Sequence, residues 1–173
     1  NWCAVVIDAA ADRINLRGFR ADSASDQTAV DELRTSLDLS ILADDVHEDA
    51  LLFGEAYVIC WPNALGEPRA YYHDPRMAHI FYSDEDPYVV DMACKWYDDK
   101  QGFRRLVLYY PTTIERYVST KKADHLTSWK AFEPDSSAPS DANPFGQVPV
   151  FQFRTRRTVK SELENVLPLQ NGV

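Results

Sequence analysis

DALLFGEAYVIC, residues 49–60, contains the point at which the hydrophobic pattern of this 173-residue chain changes from helical to extended. Before Gly54, apolar residues recur at steps of three and four, as on one face of an α-helix. After Glu55 they follow a period of two and include Tyr, Val and Ile, which favour strands. Glycine adopts the left-handed conformation that ends many helices. The stretch therefore predicts that a helix ends at Gly54 and that a β-strand begins at Glu55.

The helical pattern extends far upstream of this point. Its apolar positions form a single stripe that begins at Val30 and reaches Phe53, and Asp26 can cap the first turn. We therefore predict one long helix over residues 26–54. On that helix, His47 falls on the polar face.

Two further elements are predicted near the start of the chain. Apolar residues at Trp2, Val5, Val6 and Ala9 have the spacing of an amphipathic helix, and Asn1 can cap it. The alternation in INLRGF, residues 14–19, then predicts a short strand.

Downstream of Glu55 the sequence predicts antiparallel strands joined by hairpins. Short runs rich in aromatic and β-branched residues are separated by turn signals such as NALGEP, SDEDP and DKQG. The predicted strands are EAYVICWP, RAYYH, AHIFYS, YVVDMACKWYD, FRRLVLYY, TIERYVS and LTSWKAF, the last covering residues 126–132.

The final part of the chain holds a polar loop, a strand and a helix start. Residues 133–146 are rich in Pro, Ser and Asp, and we expect them to form a mobile loop. VPVFQF, residues 148–153, predicts a strand after a turn at 143–146. Ser161 can cap a C-terminal helix, with Glu164 completing a capping box.

Together these patterns predict an α+β fold. Long N-terminal helices pack on an antiparallel, hairpin-connected β-sheet, and a further helix starts near the C-terminal end. We expect one compact domain with three segments. These are a helical segment with a short strand (1–54), a β-rich region (55–154), and an exit segment with the start of a helix (155–173).

The charge and the cysteines limit the classes of function. The formal net charge is −9, with 27 acidic and 18 basic residues, which disfavours free binding to nucleic acid because phosphate contacts depend on Lys and Arg. Cys3, Cys60 and Cys94 lie far apart in apolar runs, so we expect reduced thiols. Apolar stretches are much shorter than the ~20 residues that span a bilayer, so no membrane partner is expected.

No motif in the sequence predicts an active site. His and Cys pairs lack the spacing of a zinc site, and the acidic run SDED lacks the glycine turn of an EF-hand and is better explained as a hairpin tip. There is no G-x-S-x-G elbow and no phosphate-binding glycine loop. Paired carboxylates such as Asp98 with Asp99 carry almost no weight in so acidic a chain. We predict no enzyme, no catalytic or metal-binding residue and no cofactor.

The order of four motifs resembles that of the portal proteins of tailed bacteriophages. The motifs are spread over nearly the whole chain. They are VVIDAAADRINLRGFR, the helix running into DALLFGEAYVICWPNALGEPRAYYHDP, the strand region NPFGQVPVFQFRTRR, and SELENVLPLQNG. Lys160 stands where that family usually has glycine or a small residue before Ser-Glu-Leu.

The resemblance implies a fragment of a longer structural protein, namely the wing region and the start of a helix directed toward the stem. Its implied partners are further copies in a ring, commonly a dodecamer, the major capsid protein, the large subunit of the terminase, and the head–tail connector protein. Double-stranded DNA would pass through the channel of the full ring. The implied location is the capsid vertex of the virion, with assembly in the host cytoplasm.

The basic cluster that follows the last predicted strand is the candidate contact site. Arg154, Arg156, Arg157 and Lys160 are predicted to contact a neighbouring subunit or domain, or to form intrachain pairs with acidic residues. Two alternatives stay open. The chain could be a ligand-binding or catalytic α+β domain of a bacterial protein, or the arginines could bind nucleic acid.

Overall fold

The computed structural model describes residues 2–125 and 131–168. The chain divides into two compact units. Unit 1 comprises Asn1–Pro75 and Phe151–Val173, and unit 2 comprises Arg76–Val150. Unit 2 is therefore inserted, in sequence, between two segments of unit 1. The division into segments 1–54, 55–154 and 155–173 stays a prediction.

The described residues form an α+β fold, as predicted. The helices are α1 (Trp2–Ala11), α2 (Ala24–Ser36) and α3 (Leu39–Phe53). The strands are β1 (Glu55–Cys60), β2 (Ala70–His73), β3 (Ala78–Tyr82), β4 (Val90–Asp98), β5 (Phe103–Tyr109), β6 (Thr113–Lys122), β7 (Phe132–Pro134), β8 (Asp141–Ala142) and β9 (Val150–Arg154).

The predicted change from helix to strand at Gly54 is confirmed. Gly54 follows α3 with φ of 88°, in the left-handed region, and β1 begins at the next residue. A side of α3 then packs on β1, where Val46, Ala50, Ala56 and Val58 form a buried cluster. The sharp turn is therefore what places the helix against the strand that follows it.

The single long helix predicted over residues 26–54 is wrong. The chain leaves the helical conformation at Asp38, which has φ of 48° and φ/ψ values in the left-handed region. Just before the break, the hydroxyls of Thr35 and Ser36 donate to the carbonyls of Asp31 and Leu33. Such side-chain bonds compete with regular helix, and Asp tolerates the left-handed region better than most residues. The result is two helices, α2 and α3.

The cap of α2 also differs from the prediction. Ser23 is the N-cap, and its hydroxyl accepts a hydrogen bond from the backbone N–H of Asp26 at 3.1 Å. Asp26 itself lies in the first turn, where a carboxylate is favoured by the helix dipole.

The short strand predicted over residues 14–19 is absent from the described structure. The backbone there is bonded by a side chain instead, since Gln27 donates to the carbonyl of Phe19 and accepts from the N–H of Ala21. The first helix is confirmed as α1, although its packed face is not the predicted one. Ile7 is its buried residue, whereas Trp2 is 70% exposed. Asn1, its predicted cap, lies outside the described residues.

The predicted hairpins form two antiparallel sheets. In unit 1 the strand order is β2-β1-β9, and in unit 2 it is β3-β4-β5-β6-β7 with β8 paired to β6. Most of the predicted strand LTSWKAF falls on residues 126–130, outside the described residues. No helix in the described part of the chain combines the length and the apolar character needed to cross a bilayer.

The sheet of unit 2 has two unlike faces. Residues on one face are buried, namely Ala78, Ile80, Ala93, Val107, Tyr109 and Ile114. On the other face, His79, Phe81, Met92, Trp96 and Leu106 line a shallow depression of about 390 Å³. The strands therefore have the period-two alternation that the sequence indicates.

Residues 133–146 are bonded to the sheet of unit 2 at several points. The side-chain amide of Asn143 donates to the carbonyls of Tyr110 and Gln147, each at 2.8 Å. The backbone N–H of Phe145 donates to the Asn143 carboxamide oxygen, which closes the predicted turn at 143–146. Mobility of the segment as a whole stays a prediction.

Candidate functional site

The segment that follows β9 is fastened to backbone carbonyls at the C-terminal end of α3 by one side-chain bond and one backbone bond. In the structure, the exit segment comprises residues 154–168, from the last residue of β9 to the last described residue. Within it, the Ser161 hydroxyl donates to the carbonyl of Leu52 at 2.5 Å, and the N–H of Glu162 donates to the carbonyl of Leu51 at 3.0 Å. These bonds satisfy carbonyls at the helix end that have no partner within the helix.

Gly54 permits this close approach. A Cβ atom at Gly54 would overlap the backbone of Lys160, at 2.6 Å from its carbonyl carbon. Its positive φ also disfavours any side chain. The glycine that ends α3 therefore also makes room for the exit segment.

The C-terminal turns start at Ser161, but the predicted capping box is replaced by other bonds. The Ser161 hydroxyl accepts from the N–H of Leu163, and the Glu164 carboxylate pairs with Lys160 at 2.7 Å. Helical geometry follows at Leu167 and Pro168, and the rest of the predicted helix lies outside the described residues.

The basic side chains of the exit segment point outward. Arg156 forms a two-bond pair with the Glu162 carboxylate, at 3.1 and 2.8 Å, and Arg154 donates to the backbone carbonyl of Arg157 at 3.3 Å. For the guanidinium of Arg157, residues 2–125 and 131–168 supply no ion-pair or hydrogen-bond partner. The structure thus brings the four predicted residues into one exposed basic segment, two of them in intrachain pairs with glutamates.

A different arrangement surrounds Arg105 in unit 2. Its guanidinium bonds the Asp99 carboxylate at 2.9 Å and also the Asp135 carboxylate, whose side chain is only 7% exposed. Asp135 accepts further bonds from the N–H and hydroxyl of Ser137. The Ser137 bonds, and after them the Arg105 bonds, hold the pKa of Asp135 below its usual value. The cluster fastens the start of segment 133–146 to β5.

Two more arginines of the same sheet bond carboxylates, which in these pairs are exposed. Arg116 bonds the Asp141 carboxylate at 2.9 Å and the carbonyl of Pro139 at 2.7 Å. Arg104 bonds Asp98 through two nitrogens, at 2.8 and 3.0 Å. These arginines are therefore used within the unit itself.

An apolar groove of about 450 Å³ lies in unit 1. The aromatic side chains of Phe19, Phe151 and Phe153 line it together with the first half of α3. His47 also lines it, which corrects its predicted position on the polar face of a helix. The buried Nδ1 atom of His47 has no hydrogen-bond partner within the described residues.

The sequence alone did not reveal the groove, because its walls come from residues far apart in the chain. Phe151 and Phe153 alternate with Gln152, whose amide instead bonds Glu55 and Tyr57. That alternation was a usable signal, since it places both phenylalanines on one face of β9. Leu37 and Leu39, which flank the break at Asp38, also line the groove. The sequence indicates that break only weakly.

Within the described ranges, no group of three or more His, Cys, Asp or Glu side chains is arranged to hold a metal ion. Within the described residues Cys3, Cys60 and Cys94 form no disulfide, and burial raises the pKa of Cys94 and of Cys60. The features that stand out in unit 1 are therefore surfaces, namely a basic exit segment and an apolar groove.

Comparison with known proteins identifies the family. No curated protein matches the chain significantly. A family model described as "Phage portal protein, SPP1 Gp6-like" matches residues 19–172, which comprise unit 2 and most of unit 1. That family consists of structural proteins. The chain therefore belongs to the phage portal proteins of the SPP1 Gp6-like family.

Proposed function

We propose that the chain is the wing region of a subunit of the portal ring at the capsid vertex. In this role it surrounds the channel through which DNA is packaged and ejected, and it contributes to docking of the terminase, the capsid protein and the head–tail connector. The observation that carries the proposal is the family match over residues 19–172. The proposed locations are the virion vertex and, during assembly, the host cytoplasm.

The charge distribution of unit 1 supports assembly by head-to-tail contacts. Residues 154–160 carry four basic side chains and no carboxylate, whereas residues 22–53 carry nine carboxylates and one arginine. A ring of identical subunits uses two different patches at each contact, and opposite charge on those patches favours the correct pairing.

Exposure of the basic segment is consistent with this role. The Arg157 guanidinium is exposed and has no partner among the described residues, while the Arg156 side chain is 55% exposed in its pair with Glu162. Exposed ion pairs of this kind contribute little to the stability of a monomer. We infer that Arg154, Arg156, Arg157 and Lys160 contact the neighbouring subunit.

Charge reversal in the full-length protein tests this assignment. We expect R156E/R157E to form fewer rings than wild type in native mass spectrometry, because the reversed charges repel the acidic neighbour. The matched control is E162Q, which removes the intrachain partner of Arg156 without reversing the basic patch, and it should form rings normally. Rings of unchanged abundance in R156E/R157E would overturn the role of the arginines, whereas wild-type protein without rings would overturn the proposed function.

A further inference from the structure

Lys95 of unit 2 is a partly buried cation that, within the described residues, has no carboxylate partner. It lies on β4, in the interior of the sheet. On the neighbouring strands, by contrast, Arg104, Arg105 and Arg116 each bond an aspartate. Burial lowers the pKa of Lys95, and the nearby charge of Arg116 lowers it further. A desolvated cation without a counterion is unfavourable, so an anion beside Lys95 is favoured.

Arg116 lies on the same face of the sheet as Lys95 and has donor groups to spare. Lys95 pairs with Val107 of β5, and Val107 pairs with Arg116 of β6, so the three side chains project from one face. Val107, between the two cations, is 7% exposed. Both bonds of Arg116, to Asp141 and to the carbonyl of Pro139, use Nη1. Its Nε and Nη2 groups have no acceptor in the described part of the chain.

The hydroxyl of Tyr109 is a third donor in this area. Tyr109 follows Val107 by two positions on β5, so its side chain lies on the same face, and it is 5% exposed. The hydroxyl makes no hydrogen bond to any described residue. Burial raises the pKa of Tyr109, and the charge of Arg116 acts in the opposite direction. The guanidinium therefore lies within electrostatic range of both the hydroxyl and Lys95.

These donors remain accessible to a ligand. Among the described residues, the polar side-chain atom that is fully buried without a hydrogen-bond partner is His47 Nδ1, in unit 1. Lys95 Nζ, Arg116 Nε and Nη2, and the Tyr109 hydroxyl also lack partners there, so each of them keeps some contact with solvent. We call these three side chains the donor cluster.

The charges and the donor geometry favour a carboxylate as the ligand. Lys95 and Arg116 carry two positive charges, and the Asp141 carboxylate neutralises one of them. One positive charge therefore remains, which matches a monoanion. The free Nε–Nη2 edge of a guanidinium fits the two oxygens of a carboxylate, and a phenolic O–H can donate to the same oxygens.

We propose that Lys95, Arg116 and Tyr109 form a binding site for a single carboxylate group. The carboxylate oxygens accept hydrogen bonds from the free edge of Arg116, from the ammonium group of Lys95 and from the hydroxyl of Tyr109. The carboxylate comes either from an acidic side chain of a neighbouring copy or from a small molecule in solution. The site goes beyond the proposed function, since binding of a small carboxylate requires no ring.

Protection of Lys95 from acylation tests the site. The unassembled fraction of the full-length protein is treated with an amine-reactive acylating reagent, in acetate or in chloride of the same ionic strength. Peptide mass spectrometry then measures the labelling of each lysine. We expect about 100 mM acetate to slow the labelling of Lys95 about threefold, as for a dissociation constant of about 50 mM. Lys100, which is exposed in the turn after β4, is the internal control and should label equally in both salts.

Two matched variants separate binding from a general effect of the salt. Y109F removes one donor and leaves the bonds of Arg116 to Asp141 and Pro139 in place. We expect acetate to bind about tenfold more weakly, as for the loss of a hydrogen bond to a charged group, so the protection should nearly disappear. Y117F removes a hydroxyl on the opposite face, since Tyr117 pairs with Leu106 of the shallow depression, and it should keep the protection.

Labelling of assembled rings identifies the source of the carboxylate. Protection of Lys95 in wild-type rings without acetate, lost in Y109F rings, assigns the carboxylate to a neighbouring copy. Protection that appears only when acetate is added assigns it to a small molecule, and both results support the site. Equal labelling of Lys95 in acetate, in chloride and in rings overturns the proposal, as does stronger protection by phosphate than by acetate at equal ionic strength. Full-length protein that forms no rings would overturn the proposed function and leave the acetate result decisive for the site.

Discussion

Two arginine clusters in this protein have the same chemistry and opposite surroundings. Around Arg105 in unit 2, the guanidinium bonds two carboxylates, and one of them belongs to the buried Asp135. In the exit segment of unit 1, Arg156 and Arg157 are exposed, and bonds from the Ser161 hydroxyl and the Glu162 N–H to the end of α3 hold the segment in place. Arginine therefore bonds a buried carboxylate in one region and lies at the surface in the other. The burial of the partner, and not the residue type, makes the difference.

The largest effect is expected from breaking the backbone anchor of the exit segment. In G54A, the added methyl group meets the backbone of Lys160. The fold also holds the alanine in the left-handed conformation, which is unfavourable for a residue with a side chain. We expect a loss of at least about 3 kcal/mol in the free energy of unfolding, since the strain and the overlap add together. Urea denaturation followed by circular dichroism measures this loss. G66A is the matched control because its φ is also positive but its Cβ would meet no atom within 4 Å. Equal losses in the two variants would show that Lys160 does not constrain Gly54.

A smaller effect is expected from breaking the cluster around Arg105. D135A removes the carboxylate that accepts from the Ser137 N–H and hydroxyl, and it removes one of the two carboxylates that Arg105 bonds. We expect a loss of about 2 kcal/mol in the free energy of unfolding. The same denaturation experiment measures it, and D135N, which keeps the shape and one acceptor oxygen, should lose less. A D135A protein as stable as wild type would mean that the cluster does not hold segment 133–146.

The smallest effect on stability is expected in the exit segment itself. R157E removes a side chain that is exposed and unpaired among the described residues. We expect the free energy of unfolding to change by less than about 0.5 kcal/mol, as for most surface substitutions. Thermal denaturation of wild type and variant measures the difference. A destabilisation as large as that of D135A would remove the contrast between the two clusters and assign Arg157 to the fold.

The sequence predicts the parts of this fold that depend on local pattern. Period-two runs identify most strands, and Gly54 marks the junction of α3 and β1 because only a residue tolerant of positive φ fits there. The break at Asp38 was missed because a continuous apolar stripe from Val30 to Phe53 outweighs the local competition by Thr35 and Ser36. Hydroxyl bonding of this kind becomes evident only once the backbone has turned.

The candidate site was also predictable only where it depends on local sequence. Four basic residues within seven positions are evident from the sequence, and the structure places them together on an exposed segment. Which of them pair within the chain was not evident, since the partners of Arg156 and Lys160 depend on the turns after Ser161. Asp99, which carries almost no weight as a paired carboxylate in the sequence, and Asp135, which no motif indicates, bond Arg105 only because strand pairing brings β5 beside them.

The insertion of unit 2 within unit 1 determines the order in which the polypeptide can fold during synthesis. The contact between Ser161 and Leu52 joins residues 109 positions apart, and contacts of such long separation form late because closing a long loop costs conformational entropy. The hairpins of unit 2 join neighbouring strands and can form as soon as they leave the ribosome. Until the exit segment is made, the end of α3 lacks its backbone partners. The basic segment therefore reaches its final position only after the residues that precede it and the turns that follow Ser161 have been synthesised.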